Sequence, residues 1–151
     1  MISCILSVCS EALIIDHITN SVSLINVLEQ IRVDSFPIVL PKLFCLFEFL
    51  RGEGDPEKPP GLVTLKLGNL ELFRAPCDVD FQQQSRTRTI INIQSVVIPG
   101  PGVLRVSIDI DGITKGNWDI DCEGSPRQIT LPWERKPRDE SDTAVTSPPA
   151  S

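Results

Sequence analysis

From Val103 to Asp111 apolar and polar side chains alternate: Leu104, Val106, Ile108 and Ile110 fall on one face, and Arg105, Ser107, Asp109 and Asp111 on the other. This period of two predicts a half-buried antiparallel strand. Asp111-Gly112 supplies the positive φ angles that a tight hairpin turn needs, so the chain should reverse there with Ile110 opposite Ile113. Carried on unbroken, that register would set Asn117 against Val106 and Asp119 against Leu104, burying polar groups while Trp118 and Ile120 faced water. A one-residue bulge at Gly116 removes the conflict, glycine being well suited to bulge conformations. Val106 then faces Trp118, Leu104 faces Ile120, Ser107 faces Asn117, and Arg105 faces Asp119 on the outside.

The same patterning predicts strands along most of the chain. Residues 2–16 read as a long first strand that ends at the polar stretch Asp16 to Ser21. Val22 to Val33 fits helical spacing at Leu24, Leu28 and Ile31 and strand spacing at Ile25, Val27, Ile31 and Val33. Its β-branched content favours a strand. Phe36-Pro37 to Pro41 reads as an extended connection, because each proline pushes its predecessor toward β or polyproline geometry. Leu62 to Arg74 predicts a second hairpin about a type II′ Gly68-Asn69 turn, with Leu67 opposite Leu70, Lys66 opposite Glu71 and Leu65 opposite Leu72. Arg86 to Ile98 predicts a further strand, with Ile91, Ile93 and Val97 inward and Arg88, Asn92 and Gln94 outward. Pro99-Gly100-Pro101-Gly102 ends it. The fold class that follows is all-β, an antiparallel β-sandwich of immunoglobulin-like or C2-like type. It occupies residues 1–123, followed by a junction at 124–133 in which Ile129 to Trp133 can add a short strand, and by a disordered Pro/Ser/charged tail at 134–151.

Leu43 to Leu50, LFCLFEFL, is apolar on both faces except at Glu48. A strand of this kind is ordinarily covered on both sides, whereas a sandwich covers one. Either the loop at 51–61 covers the second face, or Leu43, Cys45, Phe47 and Phe49 form a contact with another protein or a second copy.

The 151 residues amount to one domain, and 41% hydrophobic composition is enough for a core. A net charge of −6 without a basic cluster argues against nucleic acid as a partner. Arg86 and Arg88, at strand spacing, read as a solvated face. Serines interrupt the apolar N-terminal stretch, no Lys or Arg precedes Arg32, and no run approaches a membrane span. The expected location is the cytoplasm, away from membranes. Five cysteines at 4, 9, 45, 77 and 122, with no C-x-x-C spacing, indicate free thiols rather than a disulfide framework or a zinc site.

Chemistry-bearing residues are few. The two Asp-Ile-Asp units at 109–111 and 119–121 invite a calcium reading, but calcium takes six to eight oxygens converging from several loops. Asp109 and Asp111 are the candidates if a divalent cation binds at that end, and solvated structural carboxylates are the plainer reading. His17 is the sole histidine and lies in a loop with no nucleophile beside it. No phosphate-binding glycine loop is present, and no cofactor is called for. The leading expectation is therefore a non-enzymatic interaction module, with a divalent-cation or small-ligand domain as the alternative.

The order of an N-terminal strand leading to an acidic loop (Asp16 to Asn20), Ser23-Leu24-Ile25-Asn26-Val27, Phe36-Pro37, and a final Pro-Gly-x-x-x-Val with Asp-Gly resembles a family of small bacterial β-sandwich proteins of unknown function. The likeness spans residues 1–122. It implies bacterial origin and a sandwich fold, and it brings no functional residues with it.

Overall fold

A computed structural model describes residues 1–126; the expectations for Ile129 to Trp133 and for 134–151 lie outside the described residues. Within them the chain is all-β: β1 (Ser3–Ile15), β2 (Val22–Val27), β3 (Gln30–Phe36), β4 (Ile38–Leu50), β5 (Pro60–Leu67), β6 (Leu70–Asp78), β7 (Arg86–Ile98), β8 (Gly102–Ile110) and β9 (Ile113–Pro126). They form two sheets, ordered β2-β1-β4-β7 and β3-β9-β8-β5-β6. Every pair is antiparallel except β3 with β9, so the second sheet is mixed where a wholly antiparallel sandwich was expected.

The core lies between the sheets. Leu43, Cys45, Phe47 and Phe49 of β4 meet Val63 and Leu65 of β5 and Leu104, Val106, Ile108 and Ile120 of the β8–β9 hairpin, all of them 1% exposed or less. Val79 and Phe81, in the connection between β6 and β7, add to this cluster from one end. The Arg51 guanidinium lies 5.4 Å from the Phe81 ring centroid.

The β8–β9 hairpin adopts the expected register. Ile110 pairs with Ile113, Asp111 and Gly112 take φ of 53° and 76°, and Val106, Leu104 and Arg105 pair with Trp118, Ile120 and Asp119. The bulge expected at Gly116 falls one residue earlier: the pairing passes from Ile108 opposite Gly116 to Asp109 opposite Thr114, which makes Lys115 the extra residue. Gly116 is required by packing: a Cβ there would sit 2.6 Å from Ser7 Oγ and 2.7 Å from Cys4 Sγ, so β1 crosses the bulge at a distance only glycine permits.

Four expectations are corrected. Val22 to Val33 is two strands, not one. The chain leaves the first sheet at Leu28, whose N–H donates to the Cys9 carbonyl and whose own carbonyl accepts from Trp118 Nε1 at 2.6 Å, and it then enters the second sheet as β3. The segment after the cis Phe36-Pro37 bond is no mere connection, because β4 already starts at Ile38. Pro41 fits there because β1 pairs with β4 only from Phe44 onward, and a proline is tolerated where no ladder bond is asked of it.

On β7, Ser95 takes φ of 56°, which shifts the alternation. Val96 and Ile98 turn inward and Val97 is left 53% exposed. In the β5–β6 hairpin Gly68 alone of the turn pair has positive φ, as the II′ reading requires, and Leu67 and Lys66 find Leu70 and Glu71. Leu65, however, pairs with Phe73 rather than Leu72 across an irregularity, and Glu71 is salt-bridged to Arg74 at 2.9 Å.

Candidate interaction surface

The interaction stripe expected at Leu43, Cys45, Phe47 and Phe49 is not a surface, since all four side chains are fully buried between the sheets. With both faces of the strand apolar, a period of two cannot say which face is inside. Glu48 held the missing signal. It marks the phase of Phe44, Leu46 and Leu50, and that phase is the one turned away from the second sheet.

This outer face is partly covered, though not by the loop at 51–61. That loop bonds instead to the segment before β7, through Phe81 N–H to the Glu57 carbonyl and Arg51 to the Ser85 and Gln84 carbonyls. Leu46 is 4% exposed and Val8 7%, yet neither belongs to the inter-sheet cluster. The β1–β2 hairpin reaches this face with its tip. Arg88 Nη2 donates to the Asn20 carbonyl at 3.1 Å, and Ile15 and Asn20 line a groove of about 460 Å³ together with Glu48, Arg86 and Ile90. Arg86 and Arg88 are thus more than a solvated pair. Arg86 Nη2 donates to Glu48 Oε2, and Arg88 Nε stands 3.9 Å from Glu48 Oε1.

The tip itself is held by Asp16. Its carboxylate accepts the backbone N–H groups of Ile18 (2.8 Å) and Thr19 (3.3 Å), and these bonds lower its pKa. His17 beside it is exposed.

Large apolar side chains left in water are distributed unevenly. Ile5, Leu6, Ile14, Ile25, Val27, Val39, Leu50 and Val97 belong to strands of the four-stranded sheet and Ile18 to the β1–β2 turn, whereas the five-stranded sheet exposes Leu70, Val103 and Ile113. Single exposed aliphatics are ordinary, but their concentration on one sheet is not. The polar Ser23, which shares a face with Ile25, is the sequence signal for exposure at position 25; Val97 has none, because the Ser95 irregularity has no apolar/polar signature.

The acidic candidates are engaged in different ways, although Asp109 and Asp119 line one groove with Arg105 and Thr114. Asp109 accepts from Thr114 Oγ1 at 2.6 Å, Asp111 sits in the turn, and Asp119 is bound bidentately by Arg105 at 2.6 and 2.7 Å. That pairing lowers the Asp119 pKa and raises that of Arg105. Among the described residues no group of three or more His, Cys, Asp or Glu is placed to hold a metal ion. They also contain no helix long and apolar enough to cross a membrane. Three of the thiols sit above their ordinary range. Burial pushes Cys77 up to about 11 and raises Cys122, while Cys9 is raised by its contact with Cys45 and by burial.

No protein-family model matches the chain, and no curated protein sequence does. Among solved structures it is similar to the Pseudomonas fluorescens alkylpurine DNA glycosylase AlkC bound to DNA containing an abasic site analog. The sequence identity is 9% and the TM-score 0.41, with 64% of this chain covered. The chain spans about 28% of the length of that protein.

Proposed function

We propose that this is a non-enzymatic, immunoglobulin-like interaction module whose contact is with a second copy of itself along β2. The immunoglobulin-like reading draws support from strand order. The run β9-β8-β5-β6 follows the order G-F-C-C′ of a variable-type sandwich, and adjacent β4 and β7 occupy the places of strands B and E.

One observation carries the interaction reading: β2 is the unprotected edge. Edge strands are normally blunted by charge, proline or a covering segment. Edge β3 has Arg32 and Asp34, and edge β6 has Glu71, Arg74 and Pro76. Edge β7 has Arg86 and Arg88 and gives Thr87 and Thr89 hydroxyl bonds to the Asp80 and Asp78 carbonyls. Over Val22 to Ile25 the β2 edge has no charge and no proline and, among the described residues, no covering element, and Ile25, Val27 and Ile14 beside it are 41%, 45% and 55% exposed. The strand itself, Val22–Val27, carries no charged residue to repel its own copy, although the chain as a whole is at −6 and Glu11 of β1 accepts from Asn26 Nδ2 at 2.9 Å near the end of the strand. A foreign acidic or basic strand gains no charge complementarity there.

Sedimentation or light scattering over a concentration series tests the reading. A dimer is expected, and Ser23→Lys with Ile25→Lys, both at exposed positions, should return the protein to monomer without loss of fold. A mass of one chain at every concentration, or a dimer indifferent to both lysines, overturns it.

A further inference from the structure

Cys9 on β1 and Cys45 on β4 are direct cross-strand partners, both fully buried, with Cys9 Sγ 3.4 Å from Cys45 Sγ. Their place in the ladder matters as much as the distance. The Cys9 carbonyl accepts from Leu28 N–H at 2.9 Å, and Leu28 continues the line of β2, on the far side of β1 from β4. In a strand the N–H and C=O of one residue leave on the same side, so Cys9 and Cys45 form a non-hydrogen-bonded pair. Such pairs bring Cα atoms to about 4.5 Å with side chains close. That lies within the range of about 4.4–6.8 Å that a disulfide accepts. The other three thiols are differently engaged or apart: Cys4 contacts Ser7 Oγ and the Leu6 carbonyl, Cys122 contacts the Ile120 carbonyl, and Cys77 has no thiol neighbour.

We infer that Cys9 and Cys45 are a disulfide-forming pair, closed by exchange with a low-molecular-weight disulfide of the glutathione type. In the folded chain neither thiol meets solvent, so exchange takes place while β1 is away from β4, during folding or local opening. The Cys9 thiolate attacks one sulfur of the small disulfide, giving a mixed disulfide and one small thiolate. The Cys45 thiolate then attacks Cys9 Sγ, forming the cross-strand bond and expelling the second small thiolate. The two protons lost by the cysteines go to the two small thiolates. The chain loses two electrons and the small disulfide gains them. The bond closes a loop from residue 9 to residue 45 that ties the β1–β2 hairpin and β3 to the centre of the first sheet, and it restricts the unfolded chain accordingly.

The test is to refold the full chain from denaturant with oxidised and reduced glutathione in excess, then count thiols and map linked peptides by mass spectrometry. The expected product has three free thiols instead of five, a Cys9–Cys45 peptide pair two mass units below the sum of its reduced parts, and a higher thermal midpoint than the reduced form. Cys9→Ser and Cys45→Ser should each abolish both the linked peptide and the rise in midpoint. Five free thiols after refolding, or linkages spread among Cys4, Cys77 and Cys122, overturn the assignment. The peptide map of the unsubstituted chain decides the matter even if a serine variant fails to fold.

Discussion

Replacing Gly116 with alanine is the sharpest probe of how the two sheets meet. The added Cβ would lie 2.6 Å from Ser7 Oγ, 2.7 Å from Cys4 Sγ and 3.3 Å from Cys4 Cβ. Two of these distances are roughly an ångström inside ordinary contact at about 3.5–4.0 Å, and both offending atoms belong to short, half-buried side chains of β1 that also contact each other at 3.3 Å. Either β1 moves off the bulge or both side chains leave their rotamers, and overpacking of that kind costs about 1–3 kcal/mol. For a domain of this size each kilocalorie lowers the thermal midpoint by roughly 3–6 °C.

Chemical and thermal denaturation of Gly116→Ala should show a loss in that range, while Lys115→Ala, at the half-buried extra residue of the bulge, should cost less than Gly116→Ala. The decisive comparison is a double-mutant cycle. In a background of Cys4→Ala and Ser7→Ala the two closest atoms are gone, so the penalty for Gly116→Ala should shrink by about 1 kcal/mol or more. A Gly116→Ala cost below about 0.5 kcal/mol, or a cost unchanged in that background, refutes the claim that close approach of β1 is what requires glycine.

Two further outcomes follow from the packing and the outer face. Phe47→Ala should cost about 3–5 kcal/mol in equilibrium denaturation, because the ring is fully buried and stacked at 6.4 Å on Phe49, whereas Leu50→Ala on the opposite phase should cost a small fraction of that. Similar losses at both positions would mean that the inner and outer faces of β4 are wrongly assigned. The Asp119 carboxyl titrates below its ordinary range because Arg105 binds it, so the pair stabilises the fold above the unfolded-state pKa of about 3.9. That contribution is lost as pH falls through the lower folded-state value. Arg105→Ala should therefore cause only a small loss of stability at neutral pH, both side chains being substantially exposed, and the gap from the parent should close progressively below about pH 4. A gap that persists or widens in acid would contradict the assignment.

Where one face of a strand is apolar and the other polar, the sequence alone determined the structure. The β8–β9 hairpin is the clearest case. A one-residue slip would have turned Trp118 and Ile120 to water and Asp119 to the core, so burial free energy selects a single register, and the Arg105–Asp119 pair follows from it. Tertiary structure decided whatever lacked that asymmetry. β4 is apolar on both faces, so which stripe became core depended on where the second sheet lay. Leu28 looks like one more apolar residue in a strand, yet its N–H bonds to β1 and its carbonyl to Trp118. Its role as the crossing point between sheets exists only once both are in place. The same holds for β2, which is an edge only because no further strand joins it among the described residues, and for Cys9 and Cys45, which lie 36 residues apart in the chain and become partners only through the β1–β4 ladder. Gly116 belongs to both levels. Local patterning required a bulge, which falls at its neighbour Lys115, and the passage of β1 across Gly116 required that the residue have no side chain.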